Sequence, residues 1–480
     1  MTLERQVVVG LKWGLTAKLI TQIVAWAVTL LVIRLLVPSD YGLMALSSVV
    51  VSIFAGIAEL GLGASLIQAR NVMQSDLARV AGALLILHGA CAAIVCVGAP
   101  LFAQAFGNPR LELIVQVSSA QFLLGALAAI PEALAYRDLR FRWLAATDIV
   151  SGLLTSAATL ALALSGAGVW ALVLGSLAGY SVRTAMLILG GRFVRPSFTL
   201  RGIGQFVRFG GAWSAARFAW QLTYQADVLI AGRFLGQGAV GIYAVAAQLA
   251  NLPLQKAMGI VNQVAFPAIA KLQEELPRMR RRMLDAIRLL GSCAIPILWG
   301  VGAVAPEFVD VILGDQWQPV ILPLQLIAIV APLRILATLF ATAISALGRA
   351  DVELGNTLVS LVVFVAAFLI GVRWGVDGLA GAYAGAVTLS WLLTFPRTVR
   401  IVGISLREIF ATCRSSALSG VVMLTVVGGA RLALDSVPAW LRLPPLIALG
   451  AAAYIGTLFV LDRAIWTDAR KLVAALREPS

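Results

Sequence analysis

Two stretches of this 480-residue chain decide its fold: KLITQIVAWAVTLLVIRLLVPSDYG at residues 18–42 and RFAWQLTYQADVLIAGRFLGQGAVG at residues 217–241. They align without a gap at an offset of 199 residues (217 − 18). A cation inside an apolar helix, repeated at the same depth in each half, is what a membrane transporter for an anionic substrate needs. The matched pairs are Lys18 with Arg217, Gln22 with Gln221, Arg34 with Arg233, Leu36 with Leu235 and Gly42 with Gly241.

The composition supports a polytopic membrane protein. Hydrophobic residues make up 60% of the chain and charged residues only 12%, and the mean hydropathy is +0.93. Soluble domains carry about twice that charged fraction. The net charge of +14 is scattered over short loops, which argues against a nucleic-acid-binding face. The four cysteines form no CxxC pair and the chain has one histidine, so we expect neither a metal site nor a cofactor.

A window of about 20 residues predicts fourteen spanning helices. We read the first as a retained span rather than a cleaved signal peptide. The polar stretch from Lys271 to Arg288 is expected to lie on the membrane surface as an amphipathic segment. The predicted spans cover residues 11–37, 41–67, 78–106, 111–136, 141–165, 168–191, 205–235, 240–266, 284–313, 319–347, 352–373, 375–398, 410–431 and 443–465.

The basic residues predict the orientation of these spans. With both termini in the cytoplasm, the inside segments hold 26 Lys and Arg residues and the outside loops hold 6. This asymmetry is the positive-inside pattern of a multi-pass membrane protein. The six outside residues are Arg34, Arg110, Arg233, Arg373, Arg431 and Arg442.

Five cations remain within the predicted spans. Each is costly in lipid, so each needs a water-filled cavity or an internal partner, and the sequence leaves both explanations open. Polar stripes accompany two of them: Gln22 follows Lys18, and Gln221, Tyr224 and Gln225 follow Arg217 on one helical face. Asp227 and Glu59 are acids at comparable depth and candidates for an ion-coupled step. The five cations are Lys18, Arg183, Arg217, Lys256 and Arg334.

Further landmarks recur in the same order and orientation. FGNP (106–109) corresponds to LGDQWQP (313–319), ALAYRD (133–138) to SALGRAD (345–351), and GVWALVLG (from 168) to GVDGLAGA (from 375). Six spans separate each feature from its copy, and an even number makes this a parallel repeat. We therefore expect an all-α membrane protein with two six-helix lobes, 1–200 and 201–400, and two further helices with a short cytoplasmic tail in 401–480.

At this point the chain resembles the Wzx-type flippases, the polysaccharide transport branch of the multidrug/oligosaccharidyl-lipid/polysaccharide (MOP) exporter superfamily. The resemblance spans essentially the whole chain. Its carriers are GLKWGLTAKLITQ (10–22), RLLVPSDYGLMALSSVVVSIFAGIAELGLGASLIQ (34–68), FPAIAKLQ (266–273) and WGVDGLAGAY (374–383).

The resemblance implies that the chain flips a polyprenyl-diphosphate-linked oligosaccharide to the outer leaflet by alternating access, for lipopolysaccharide, capsule or exopolysaccharide synthesis. It implies no catalysis, and it implies membrane lipid and the polymerase and export machinery as further partners. Diphosphate candidates are then Lys18, Arg217, Lys256 and Arg334, and sugar candidates are Gln22, Gln221, Tyr224 and Gln225. The lipid tail would lie in a groove that the last two helices help to form.

Three alternatives remain open. A lipid II flippase of the same superfamily differs only in the headgroup it carries. A multidrug cation exporter would need an anionic cavity, whereas the intramembrane charges here are mostly basic. A membrane polysaccharide polymerase or glycosyltransferase would expose a sizeable outer loop, and the outer loops here are short.

Overall fold

The computed structural model describes residues 21–59, 66, 73–191, 194–199, 221–252 and 275–462. All regular structure within these ranges is helical. The α-helices are α1 Thr21–Leu35, α2 Pro38–Glu59, α3 Gln74–Ala105, α4 Arg110–Ser118, α5 Ala120–Arg137, α6 Phe141–Leu164, α7 Val169–Gly190, α8 221–234, α9 236–252, α10 Leu276–Ala303, α11 Ala305–Phe308, α12 Ile321–Ala346, α13 Ala350–Gly371, α14 Gly375–Val402, α15 Leu406–Ala433 and α16 Ala439–Leu461.

The prediction of an all-α, multi-span membrane protein is confirmed. Each of the fourteen predicted spans has a helical counterpart, although the first, second, seventh, eighth and fourteenth extend into residues outside the described ranges. Ten described segments are long and apolar enough to cross a membrane, and the longest of them, Asp351–Val402, contains both α13 and α14. The fourth span consists of two consecutive helices, α4 and α5.

The backbone repeats at the landmarks that the sequence repeats. Gly168, before α7, has φ 57° and ψ −134°, and Gly375, at the start of α14, has φ 71° and ψ −152°. Residues other than glycine rarely adopt this backbone conformation, so glycine is needed at both places. Two other corresponding turns also share a positive φ: Gly107 (64°) with Gly314 (94°), and Leu139 (55°) with Gly348 (72°).

The first repeat landmark forms a reciprocal backbone contact. The carbonyl oxygen of Gln237 lies where a side chain on Gly42 would begin, and the carbonyl oxygen of Pro38 lies where one on Gly241 would begin. Adding the offset of 199 residues to Pro38 and Gly42 gives Gln237 and Gly241. The N-terminal turns of α2 and α9 therefore meet through equivalent residues, at a distance that only glycine permits.

The segment from Lys271 to Arg288 is amphipathic in its described part, as expected, but it is continuous with a long helix rather than separate from it. From Leu276 the chain already forms α10, which continues to Ala303. Met279, Met283 and Ile287, one turn apart, are fully buried. Because these residues extend the buried face of the spanning helix, the intervening arginines lie on its first turns rather than on a separate helix.

The chain folds as two compact units, with the boundary between Gly241 and Ile242. In the first unit α6 packs on α7, and α5 packs on both α3 and α7. In the second unit α10 packs between α12 and α15, and α14 packs on α12 and α13. The lobe limits expected from the sequence, 1–200 and 201–400 with 401–480 appended, stay a prediction.

Candidate functional site

Arg334 is the intramembrane diphosphate candidate that the structure describes. It lies near the middle of α12, half-buried, just after the helix-interior Pro332. Its Nη1 donates hydrogen bonds to the hydroxyl of Tyr383 on α14 and, at 3.4 Å, to the side-chain oxygen of Asn251 on α9. Both acceptors are neutral oxygens, and the two contacts orient the guanidinium.

Tyr383 is itself held in place. It is only 6% exposed, and its ring lies edge-on to Phe364 of α13, with the centroids 6.0 Å apart. The guanidinium carbon of Arg334 lies 5.7 Å from the centre of the same ring, within cation–π range. Neither Tyr383 nor Asn251 was predicted as a site residue. Tyr383 is the last residue of WGVDGLAGAY (374–383), which was its one signal in the sequence.

The polar stripe of the seventh span is present on α8. Gln225 donates from Nε2 to the hydroxyl of Ser52 on α2, at 3.0 Å. Tyr224 is 36% exposed, and Gln221 is half-buried, as is Gln22 on α1. These side chains can offer hydrogen bonds to a polar ligand, and their role as sugar contacts stays a prediction.

The remaining predicted residues are described incompletely. Lys18, Arg217 and Lys256 lie outside the described residues, as does the side chain of Glu59. Asp227, on α8, accepts a hydrogen bond at 2.7 Å from the backbone N–H of Val228. The assignments of diphosphate contacts and of ion coupling therefore stay predictions.

Two carboxylates bind Arg183. On α7, its two terminal nitrogens donate to both oxygens of Glu132 on α5, at 2.8 and 2.9 Å, and its Nε lies 3.3 Å from Asp148 on α6. Of the two explanations left open by the sequence, the structure shows internal pairing. This cluster joins three helices and carries a net charge of −1, so it is a poor site for an anion.

A second ionic cluster lies in the second unit, where two arginines meet one carboxylate. Glu307 on α11 is 1% exposed and accepts two hydrogen bonds of 2.8 Å from Arg431 on α15. Arg442 on α16 lies 3.3 Å from the same carboxylate. A buried carboxylate between two guanidinium groups joins the last two helices to α11.

A groove of about 200 Å³ runs beside this cluster. Its lining comes from α10, α12 and α15 and is mostly apolar, with Trp299, Ile329, Leu424 and Val427. Gly302 and Arg431, the latter a member of the cluster, also line it. The last two helices were expected to help form a groove for a lipid tail, and α15 lines this one.

Comparisons with known proteins agree with this architecture. The sequence profile described as "Polysaccharide biosynthesis protein" matches residues 31–322. The lipopolysaccharide biosynthesis protein WzxC of Escherichia coli K12 is 27% identical over 409 residues, which are 82% of this chain and 79% of that protein. The teichuronic acid biosynthesis protein TuaB of Bacillus subtilis 168 is 26% identical over 437 residues, 88% of each chain.

Two solved structures share the fold. The lipid II flippase MurJ in an inward closed conformation superposes with a TM-score of 0.75 over 94% of this chain and 99% of its own, at 14% identity. An inward-facing multidrug resistance transporter of the MATE family superposes with a TM-score of 0.62 over 80% of this chain and 96% of its own, at 16% identity. At these identities the similarity shows the MOP flippase fold and nothing about the ligand.

Proposed function

Because the chain belongs to the polysaccharide biosynthesis protein family, a family of membrane transporters, we propose that it flips a polyprenyl-diphosphate-linked oligosaccharide. The substrate enters from the cytoplasmic leaflet of a bacterial inner membrane and leaves in the outer leaflet, by alternating access. The connections that hold 26 of the Lys and Arg residues lie in the cytoplasm, as do both termini. Relatives named for lipopolysaccharide and teichuronic acid synthesis support this substrate class.

The observation that carries the proposal is the setting of Arg334. Its guanidinium lies mid-span and is oriented by the neutral oxygens of Tyr383 and Asn251. A diphosphate is a dianion that guanidinium binds through charge-assisted hydrogen bonds. Lys18, Arg217 and Lys256 complete the proposed diphosphate site, and Gln22, Gln221, Tyr224 and Gln225 are the proposed partners of the sugar hydroxyls.

The groove lined by α10, α12 and α15 is the proposed path of the polyprenyl tail. Its apolar wall of Ile329, Leu424 and Val427 suits an isoprenoid chain, because burying apolar surface against it is favourable. The diphosphate itself stays in the polar interior, and the tail remains next to lipid.

The membrane potential favours outward transport. Two negative charges crossing an inside-negative potential of about 100 mV gain about 4 to 5 kcal/mol. Ion coupling through Asp227 or Glu59 is therefore not required. A transport rate that follows the proton or sodium gradient at fixed potential would add that step.

The test is the leaflet distribution of the lipid-linked oligosaccharide in inner-membrane vesicles. We expect the oligosaccharide to accumulate on the cytoplasmic leaflet in cells without the gene and in cells carrying Arg334→Gln. The control is Arg373→Gln, which removes an exposed arginine from the turn after α13 and should leave the distribution normal. An unchanged distribution in the gene deletion would contradict the proposal, and rescue of cell-wall synthesis in a flippase-depleted strain would favour lipid II as the substrate.

A further inference from the structure

The second unit gathers three helix ends into one basic surface. A buried core joins the N-terminal turns of α10, through Met279 and Met283, to the end of α14 at Val402 and the start of α15 at Ile409. An ion pair between Arg280 and Glu408 also fastens α10 to α15.

On α10 the exposed face changes from arginine to leucine along the helix. Arg281 and Arg282 are exposed and lie away from the buried Met279 and Met283. Leu289 shares the face of Arg281, two turns later, and is 48% exposed. Eight residues of helix span about 12 Å. Arg281 can therefore lie at the level of the phosphate groups while Leu289 contacts the acyl chains.

The same change occurs on both neighbouring helices. On α14, Leu389 and Leu393 are 49% and 51% exposed, and the exposed Arg397 continues their row one turn later. On α15, the exposed Arg414 precedes Leu418, which is 53% exposed, by one turn. Exposed leucines on spanning helices face lipid. Arg281, Arg397 and Arg414, at the ends of these leucine rows, therefore lie at the level of the headgroups.

Four acids at this end already pair with arginines, and a fifth, Asp285, is exposed on α10 one turn after Arg281. Glu275, Asp351 and Glu408 each pair with an arginine, Arg278, Arg349 and Arg280 respectively, and Asp462 pairs with Arg288. Six exposed arginines of α10, α14 and α15 make no side-chain hydrogen bond or ion pair within the described part of the chain. We call them the basic collar: Arg281, Arg282, Arg397, Arg400, Arg407 and Arg414.

We propose that the basic collar binds the phosphate groups of anionic phospholipids. The leucine rows place Arg281, Arg397 and Arg414 beside lipid rather than out in the solvent, where an acidic protein would dock. Anionic headgroups attract each basic residue held near the membrane surface, and several guanidinium groups together favour phosphate over a zwitterionic headgroup. The proposal concerns lipid binding and does not depend on which substrate is transported.

The experiment measures lipid binding to the purified full-length protein in neutral detergent. Phosphatidylglycerol and phosphatidylcholine are titrated separately, and bound lipid is counted by native mass spectrometry. We expect the triple variant Arg281→Gln/Arg397→Gln/Arg414→Gln to weaken phosphatidylglycerol binding on the order of 100-fold. The matched control is Arg110→Gln/Arg233→Gln/Arg373→Gln, which removes three exposed arginines elsewhere and should bind normally.

Four results would overturn the proposal. They are equal affinity of the wild type for the two lipids, unchanged phosphatidylglycerol binding by the triple variant, equally strong binding of inorganic phosphate, and tighter binding of polyglutamate, the probe for an acidic protein partner. If the triple variant fails to fold, Arg281→Gln alone gives the same comparison at one exposed position, with Arg281→Lys expected to restore binding. Because transport is not measured, failure here leaves the proposed function untouched.

Discussion

Replacing Gly42 by alanine tests whether the reciprocal contact between α2 and α9 is structural. The new Cβ would overlap the carbonyl oxygen of Gln237 and lie 2.6 Å from its carbonyl carbon. Carbon atoms pack at about 3.5 to 4.0 Å, so the two backbones must move apart by about 1 Å. Overpacking of this kind costs about 1 to 3 kcal/mol. We expect a cost near the upper value, because neither backbone can rotate away as a side chain would.

The assay is thermal unfolding of the purified protein in detergent, where we expect Tm to fall by about 3 °C for a chain of 480 residues. Gly56→Ala is the matched control, because Gly56 lies on the same helix and an added Cβ there meets nothing within 4 Å. It should keep or raise Tm, since alanine favours helix by up to about 1 kcal/mol.

The equivalent substitution, Gly241→Ala, should cost a similar amount, because its Cβ would lie 2.6 Å from the carbonyl carbon of Pro38. The double variant should cost less than the sum, since a single separation of the two helix starts relieves both overlaps. Equal Tm values for Gly42→Ala and Gly56→Ala would refute the reasoning, and strict additivity would refute the shared contact.

Three further substitutions probe the ionic and polar clusters. Glu307→Gln leaves Arg431 beside a neutral group in a buried site and should lower the free energy of unfolding by about 3 kcal/mol, so a wild-type melting curve would contradict it. Tyr383→Phe keeps the ring but removes the acceptor for Arg334. It should reduce transport about tenfold with little change in Tm, and a purely structural role would lower Tm instead. Arg183→Lys loses the bidentate geometry and should lower the free energy of unfolding by about 1 to 2 kcal/mol, measured by denaturant titration.

The sequence predicted the helices well, because span length and apolarity are local properties. The landmarks around Gly168 and Gly375 were also predictable, since a turn that needs glycine leaves glycine at both copies. The repeat offset correctly paired Gly42 with Gly241, although nothing in the sequence showed that the two would touch.

Contacts between helices could not be predicted. Arg183 bonds to Glu132, 51 residues away, and a single sequence does not show which helices are neighbours. Glu307 lies within the predicted span 284–313 and was not singled out, yet it is buried and bonded to Arg431, 124 residues later. The continuous α10 was missed because its charged residues suggested a boundary. Met279, Met283 and Ile287 are spaced one turn apart and all buried, which indicates one uninterrupted helix.

The contact of Gly42 with Gln237 and of Gly241 with Pro38 has the form of an isologous interface, in which residue i of one copy touches residue j of the other and the reverse also holds. Such interfaces are made by symmetric homodimers. One polypeptide thus supplies both sides of a contact that two copies of the same sequence would make in a symmetric dimer. Pro38 and Gln237 can be different residues because they contribute only backbone oxygens, whereas both positions at the point of contact require glycine.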